Sequence, residues 1–148
     1  MLLKTTQFGE IEYDQEAVIK FPNGIPGFDD ENAFVLIPSG DIDFPFNTLQ
    51  SEQTPDLAFV VTDPFLFVEN YDFEISEYDI ETLKLQSEED LKNIIALSIV
   101  TIPDNVENTT INIVAPIIIN TKDKIGKQVL LHEYDEVKYP IFTKKSEA

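Results

Sequence analysis

No apolar run in this chain of 148 residues is long. The longest, Ile94 to Ile102, is interrupted by Ser98 and Thr101, and the others are shorter and stop at turn-forming residues. Short apolar segments separated by such punctuation predict a β-rich fold. They also fall well short of the roughly 20 apolar residues that a membrane-crossing helix needs.

Individual segments read as strands. Ile11 and Tyr13 alternate with Glu10 and Glu12, the pattern of a half-exposed strand. Val18 to Phe21, Ala33 to Ile37 and Phe46 to Leu49 follow. Leu57 to Val61 and 93–102 are apolar on both alternating faces, as strands covered on both sides are. Thr109 to Val114 and 116–120 continue the series, with Pro116 expected at an edge or bulge because it has no ladder donor. Lys122 to Gly126 reads as a hairpin tip leading into 127–131. "FPNGIPGF" at 21–28 holds two prolines and two glycines, so it reads as a rigid ordered loop. Helix signals are confined to about residues 76–92. There Ser76 with Asp79, and Ser87 with Asp90, place a hydroxyl N-cap before an acid three positions on, predicting one or two short helices.

Charge narrows the function. Asp and Glu number 28 against ten lysines, the net charge is −18, and arginine is absent. A nucleic-acid binder needs cations to replace phosphate counterions, and the arginine fork that reads guanine is missing. Direct nucleic-acid binding and attachment to an anionic membrane are therefore not expected. The field favours a basic partner and speeds its encounter, although solubility alone is also served by it. Nine acids and a single lysine, Lys84, lie between Glu69 and Asp90, whereas six of the ten lysines lie from Lys122 onward.

The chain has no cysteine, which removes disulfides, thiolate metal sites and a cysteine nucleophile, and fits a reducing cytoplasm. His132 is the only histidine, and no serine stands in a nucleophile elbow. Carboxylate pairs occur at Asp41 and Asp43, Glu74 and Glu77, and Glu77 and Glu81, but 28 acids generate such pairs by number alone. No calcium-loop or glycine-rich phosphate motif is present. No cofactor or metal is expected.

What remains is surface. Phe65, Phe67, Tyr71, Phe73 and Tyr78 lie in or beside the acidic stretch. Aromatic groups among carboxylates suit a docking patch for a basic, partly apolar partner; taken singly, each is more often a core residue beneath an acidic rim. The turn at Asp63-Pro64 interrupts "AFVVTDPFLF", and strand alternation beyond it predicts Phe67 outward and Phe65 inward. The candidate partner-binding residues are Phe67, Glu69, Tyr71, Asp72, Glu74, Glu77, Tyr78 and Glu81.

Five stretches taken together resemble the flagellar assembly factor FliW family. They are "FGEIEYD" at 8–14, "FPNGIPGFDD" at 21–30, "LAFVVTDPFLF" at 57–67, "IVTIPD" at 99–104 and "NIVAPIIINTKDKIGKQVLL" at 112–131. The resemblance spans nearly the whole chain and is weakest at 69–90. It implies a compact, β-barrel-like single domain over residues 1–143; the last residues, 144–148, read as a frayed tail on their position at the chain end. The resemblance further implies a cytoplasmic protein, monomeric when free and without catalytic activity. The implied partners are the translational repressor CsrA and the C-terminal region of flagellin. Binding to CsrA relieves repression of flagellin mRNA, and flagellin competes for the factor. A flagellin-specific export chaperone acting independently of the repressor is the alternative, and an enzyme using converging carboxylates in a deep cleft is a third.

Overall fold

The computed structural model describes residues 2–6, 8–25, 27–28, 30–38, 46–86, 90–131, 133–135 and 137–141. Eleven strands are present among them: β1 (Leu2–Thr5), β2 (Gly9–Glu12), β3 (Val18–Lys20), β4 (Ala33–Ile37), β5 (Phe46–Ser51), β6 (Ala58–Thr62), β7 (Ile94–Thr101), β8 (Thr110–Ile111), β9 (Ile117–Asn120), β10 (Ile125–Gln128) and β11 (Tyr139–Pro140). One α-helix, α1 (Glu77–Thr82), accompanies them.

Strands β7-β6-β5-β4-β3-β10-β9 form a continuous ladder, and β9 pairs back onto β7. The sheet therefore closes as a seven-stranded barrel, which leaves no free edge around its girth. All neighbours are antiparallel except β3 and β10. Alternation fills the interior: Phe34, Leu49, Val61, Leu97, Ile117 and Ile119 point inward and are almost completely buried. The 21–28 loop contributes Phe21 and Ile25 to the same cluster, and its Phe28 ring stands edge-on to Phe59 at 5.6 Å. Positive φ at Gly24 and Gly27 lets that loop fold over the barrel end. Gly126 on β10 has a different role. A Cβ there would lie 2.6 Å from the Phe21 ring, so Phe21 fills its place only because position 126 has no side chain.

Two layers cover the outside. The β1–β2 hairpin packs Leu3 against Val18, Ala33 and Val35. On another face, residues 64–85 run over the barrel and bury Val68, Tyr71, Leu83 and Leu85 against Ile118, Val129 and Leu131. At about 25 cal/mol per Å² of apolar surface, each such side chain contributes roughly 1.5–3 kcal/mol, which is what holds the irregular segment down.

Several expected boundaries move. The expected strand at 109–114 is cut to Thr110–Ile111, because residues 112–116 bulge out of register opposite Ser98 and Ile99 on β7. The Asn112 side chain sustains the bulge by accepting from the Val114 and Ala115 N–H groups. The expected hairpin tip at 122–126 is shorter, because Asn120 Oδ1 accepts from the N–H groups of Lys122 and Asp123 and starts the turn earlier. Ile125 and Gly126 already belong to β10. Pro116 stands just before β9, within the bulge. Of the two expected helices, the one capped by Ser76 is α1, whereas Asp90–Asn93 is a 3-10 turn. Ser87, Asp41, Asp43, His132 and the 144–148 tail lie outside the described residues, as do Glu88 and Glu89.

Candidate functional site

The turn after β6 sets the site. Asp63 is extended, with φ −80° and ψ 112°, as a residue before proline should be. Its carboxylate accepts from the Phe65 N–H at 2.9 Å and caps a 3-10 turn over Pro64–Leu66. In a 3-10 turn residues three apart share a face. Pro64 and Phe67 accordingly point toward the barrel, while Phe65 and Leu66 point out, at 53% and 62% exposure. The alternation-based assignment is thus reversed: Phe65 is the exposed ring, and Phe67 is half-buried against the outer core.

Phe65 heads an aromatic row. Its centroid lies 5.4 Å from Tyr71 and 6.4 Å from Phe73, and Tyr71 lies 4.9 Å from Tyr134. Tyr71 is buried, which corrects its placement on the docking surface. Its hydroxyl donates to the Ile113 carbonyl in the bulge at 2.7 Å, so the ring acts as a pillar under the row. Burial, followed by the nearby Tyr134 and Glu133 charges, pushes the Tyr71 phenol well above its ordinary pKa.

Beyond Tyr71 the chain forms a strap at 72–76. Tyr134 grips one end, accepting from the Asp72 N–H and donating to the Asp72 carbonyl. Ser76 fixes the other end by accepting from the Asp79 N–H as N-cap of α1. The helix closes with Lys84 in the left-handed region (φ 58°), the Leu85 N–H reaching the Ile80 carbonyl, and Asn120 Nδ2 donating to the Leu83 carbonyl.

Two grooves flank the strap, and Glu74 and Ile75 line both. One, of about 480 Å³, is floored by Phe65, Phe73, Ile80 and Ile94, with Asp72 at its rim. The other, of about 700 Å³, runs between Tyr78 on α1 and the chain around Lys127–Leu131, with Glu133 at its end. Lys127 Nζ donates to the Asp79 carboxylate there and lies 4.0 Å from the Tyr78 ring centroid.

The candidate residues therefore divide. Asp72, Glu74 and Tyr78 face the grooves; Glu69, Glu77 and Glu81 are exposed acids that line neither; Phe67 and Tyr71 support from below. Leu130, Glu133 and Tyr134 are not among the candidate partner-binding residues read from the sequence, because they join the site across the barrel. Leu130 carries a signal in retrospect, since alternation after Val129 turns it outward, and it is 62% exposed. Among the described residues, no three His, Asp or Glu side chains are grouped to hold a metal ion. No helix among them is long and apolar enough to cross a membrane.

The family model described as "FliW protein" matches residues 2–142 of this chain. The chain belongs to the FliW family. The flagellar assembly factor FliW of Alkaliphilus metalliredigens (strain QYMF) is 47% identical over 131 residues, covering 88% of this chain and 79% of the relative. That of Thermoanaerobacter pseudethanolicus (strain ATCC 33223 / 39E) is 46% identical over 143 residues, covering 95% and 93%. A crystal structure of the flagellar assembly factor FliW superposes with a TM-score of 0.86 at 34% identity, covering 98% of this chain and 99% of that one. The overall fold is thus shared with that structure.

Proposed function

We propose that this chain is a non-enzymatic flagellar assembly factor that acts in the cytoplasm by docking other proteins, and is a monomer when free. Its relatives carry the name flagellar assembly factor. The proposed partners are CsrA, whose repression of flagellin mRNA is relieved on binding, and the C-terminal region of flagellin, which competes for the factor.

The observation that carries this reading is the pair of grooves along the strap. Aromatic and aliphatic floors are rimmed by Asp72, Glu74 and Glu133, with Glu69, Glu77 and Glu81 exposed around them. Such a surface suits a basic protein that also offers apolar side chains. With a net charge of −18 and no arginine, the chain is suited to acting on an RNA-binding protein rather than on RNA. Carboxylates brought beside the repressor's RNA site also repel phosphate. That contribution is screened by salt, so raising ionic strength from low to moderate should weaken the antagonism. Antagonism that is unchanged by salt removes the electrostatic part of the proposal.

The test is a titration of the purified protein into a preformed complex of CsrA and flagellin leader RNA, read by RNA release. Release that flagellin reverses supports the antagonist reading and the exchange of partners together. No release from an active repressor contradicts it and moves the assignment to a flagellin-specific export chaperone.

A further inference from the structure

The larger groove contains its own cation. Lys127 rises from β10, donates to Asp79 and rests against the face of Tyr78, with both charged side chains only 13% exposed. Among the described residues it is the one basic side chain lining this groove, beside three carboxylates, Glu74, Asp79 and Glu133. Glu74 and Glu133 are exposed and form no ion pair among the described residues. Tyr78 stays 66% exposed despite the contact, and Leu130 offers an apolar wall at 62% exposure. Aromatic face, carboxylates and apolar wall together are the parts that recognise a cationic side chain on a partly apolar segment.

We propose that this groove is the receptor for a single arginine or lysine of a protein partner, and that Lys127 is a resident occupant which the partner's cation displaces. The inference rests on the reading that the partner is basic. An arginine is favoured over the lysine it replaces: its planar guanidinium stacks on Tyr78 and bonds carboxylates through two parallel N–H groups, which a lysine ammonium does not match. Lys127 sits on a flexible four-carbon stem and swings toward Glu74 or Glu133 when displaced. The internal ion pair thereby lowers affinity for weakly basic segments and selects for an arginine in the right place.

The test compares Lys127→Met with Lys122→Met. Each removes one positive charge, but Lys122 is exposed and only 3.9 Å from Asp90 in a loose pair. Binding is titrated at fixed ionic strength with CsrA and, independently, with an octa-arginine peptide. Vacating the receptor should tighten peptide binding by about threefold or more, while Lys122→Met stays within about twofold. Adding Asp79→Asn to Lys127→Met should abolish the gain. Tyr78→Ala leaves the ion pair in place and should weaken peptide binding about threefold, which keeps the proposal testable if Lys127→Met folds poorly. Equal effects of the two lysine substitutions, or weaker binding by Lys127→Met, overturn the inference. Failure of CsrA to bind any form, with the peptide behaving as expected, overturns the choice of partner and leaves the receptor standing.

Discussion

Phe34 and Phe65 are the same side chain in opposite settings. Phe34 lies at 0% exposure inside the barrel, edge-on to Phe21 at 5.2 Å, on a strand bonded to neighbours on both sides. Phe65 lies at 53% exposure on a 3-10 turn over the outside, facing a groove. Inside, aromatic surface is spent on closure; outside, it is held up by a buried pillar, Tyr71, and left available. The contrast separates the scaffold from the proposed docking layer, and each part predicts a different response to substitution.

The largest effect should come from emptying the barrel. Phe34→Ala is expected to cost about 3–5 kcal/mol in a denaturant titration; a loss below ~1 kcal/mol would mean that the interior is loosely packed and the contrast false. Overfilling comes next. Gly126→Ala drives a methyl into the Phe21 ring and should cost about 1–3 kcal/mol. A neutral result would show that Phe21 relaxes freely. The pillar is third. Tyr71→Phe strands the Ile113 carbonyl and should cost about 1–2 kcal/mol at neutral pH. The folded-state pKa of Tyr71 lies above the ordinary 10.0, so the folded protein holds this proton more tightly than the unfolded chain does. Its contribution is full below about pH 10 and drains away as pH rises toward the folded value. Above pH 10 the wild-type protein should therefore lose stability more steeply than Tyr71→Phe, and parallel curves would remove Tyr71 from the outer core.

Most of the barrel's strands were legible from the residue pattern because they follow one period, whereas the barrel itself was implied only by the family resemblance. Ala33–Ile37 matches the expected strand, and the runs around 46–51, 57–62, 93–102 and 116–120 shift by a residue or two. The site was less legible because it departs from that period. Phe65 and Phe67 exchange roles when a 3-10 turn replaces alternation. Tyr71 meets Ile113 across 42 residues, in a bulge that no local pattern announces. Lys127 meets Asp79 across 48 residues, and only barrel closure brings β10 beneath α1. Local capping was readable, as Ser76 shows; long-range meetings of single side chains were not.

The most direct test of the proposed division into scaffold and docking layer substitutes two exposed phenylalanines and measures affinity for CsrA, the proposed partner. Phe65 lies on the strap side, and Phe28 lies at the barrel end, 41% exposed against Phe59. The account predicts that Phe65→Ala weakens binding about tenfold or more while Phe28→Ala stays within about twofold. A loss caused by Phe28→Ala with Phe65→Ala unchanged would place the docking surface on the barrel end and contradict it.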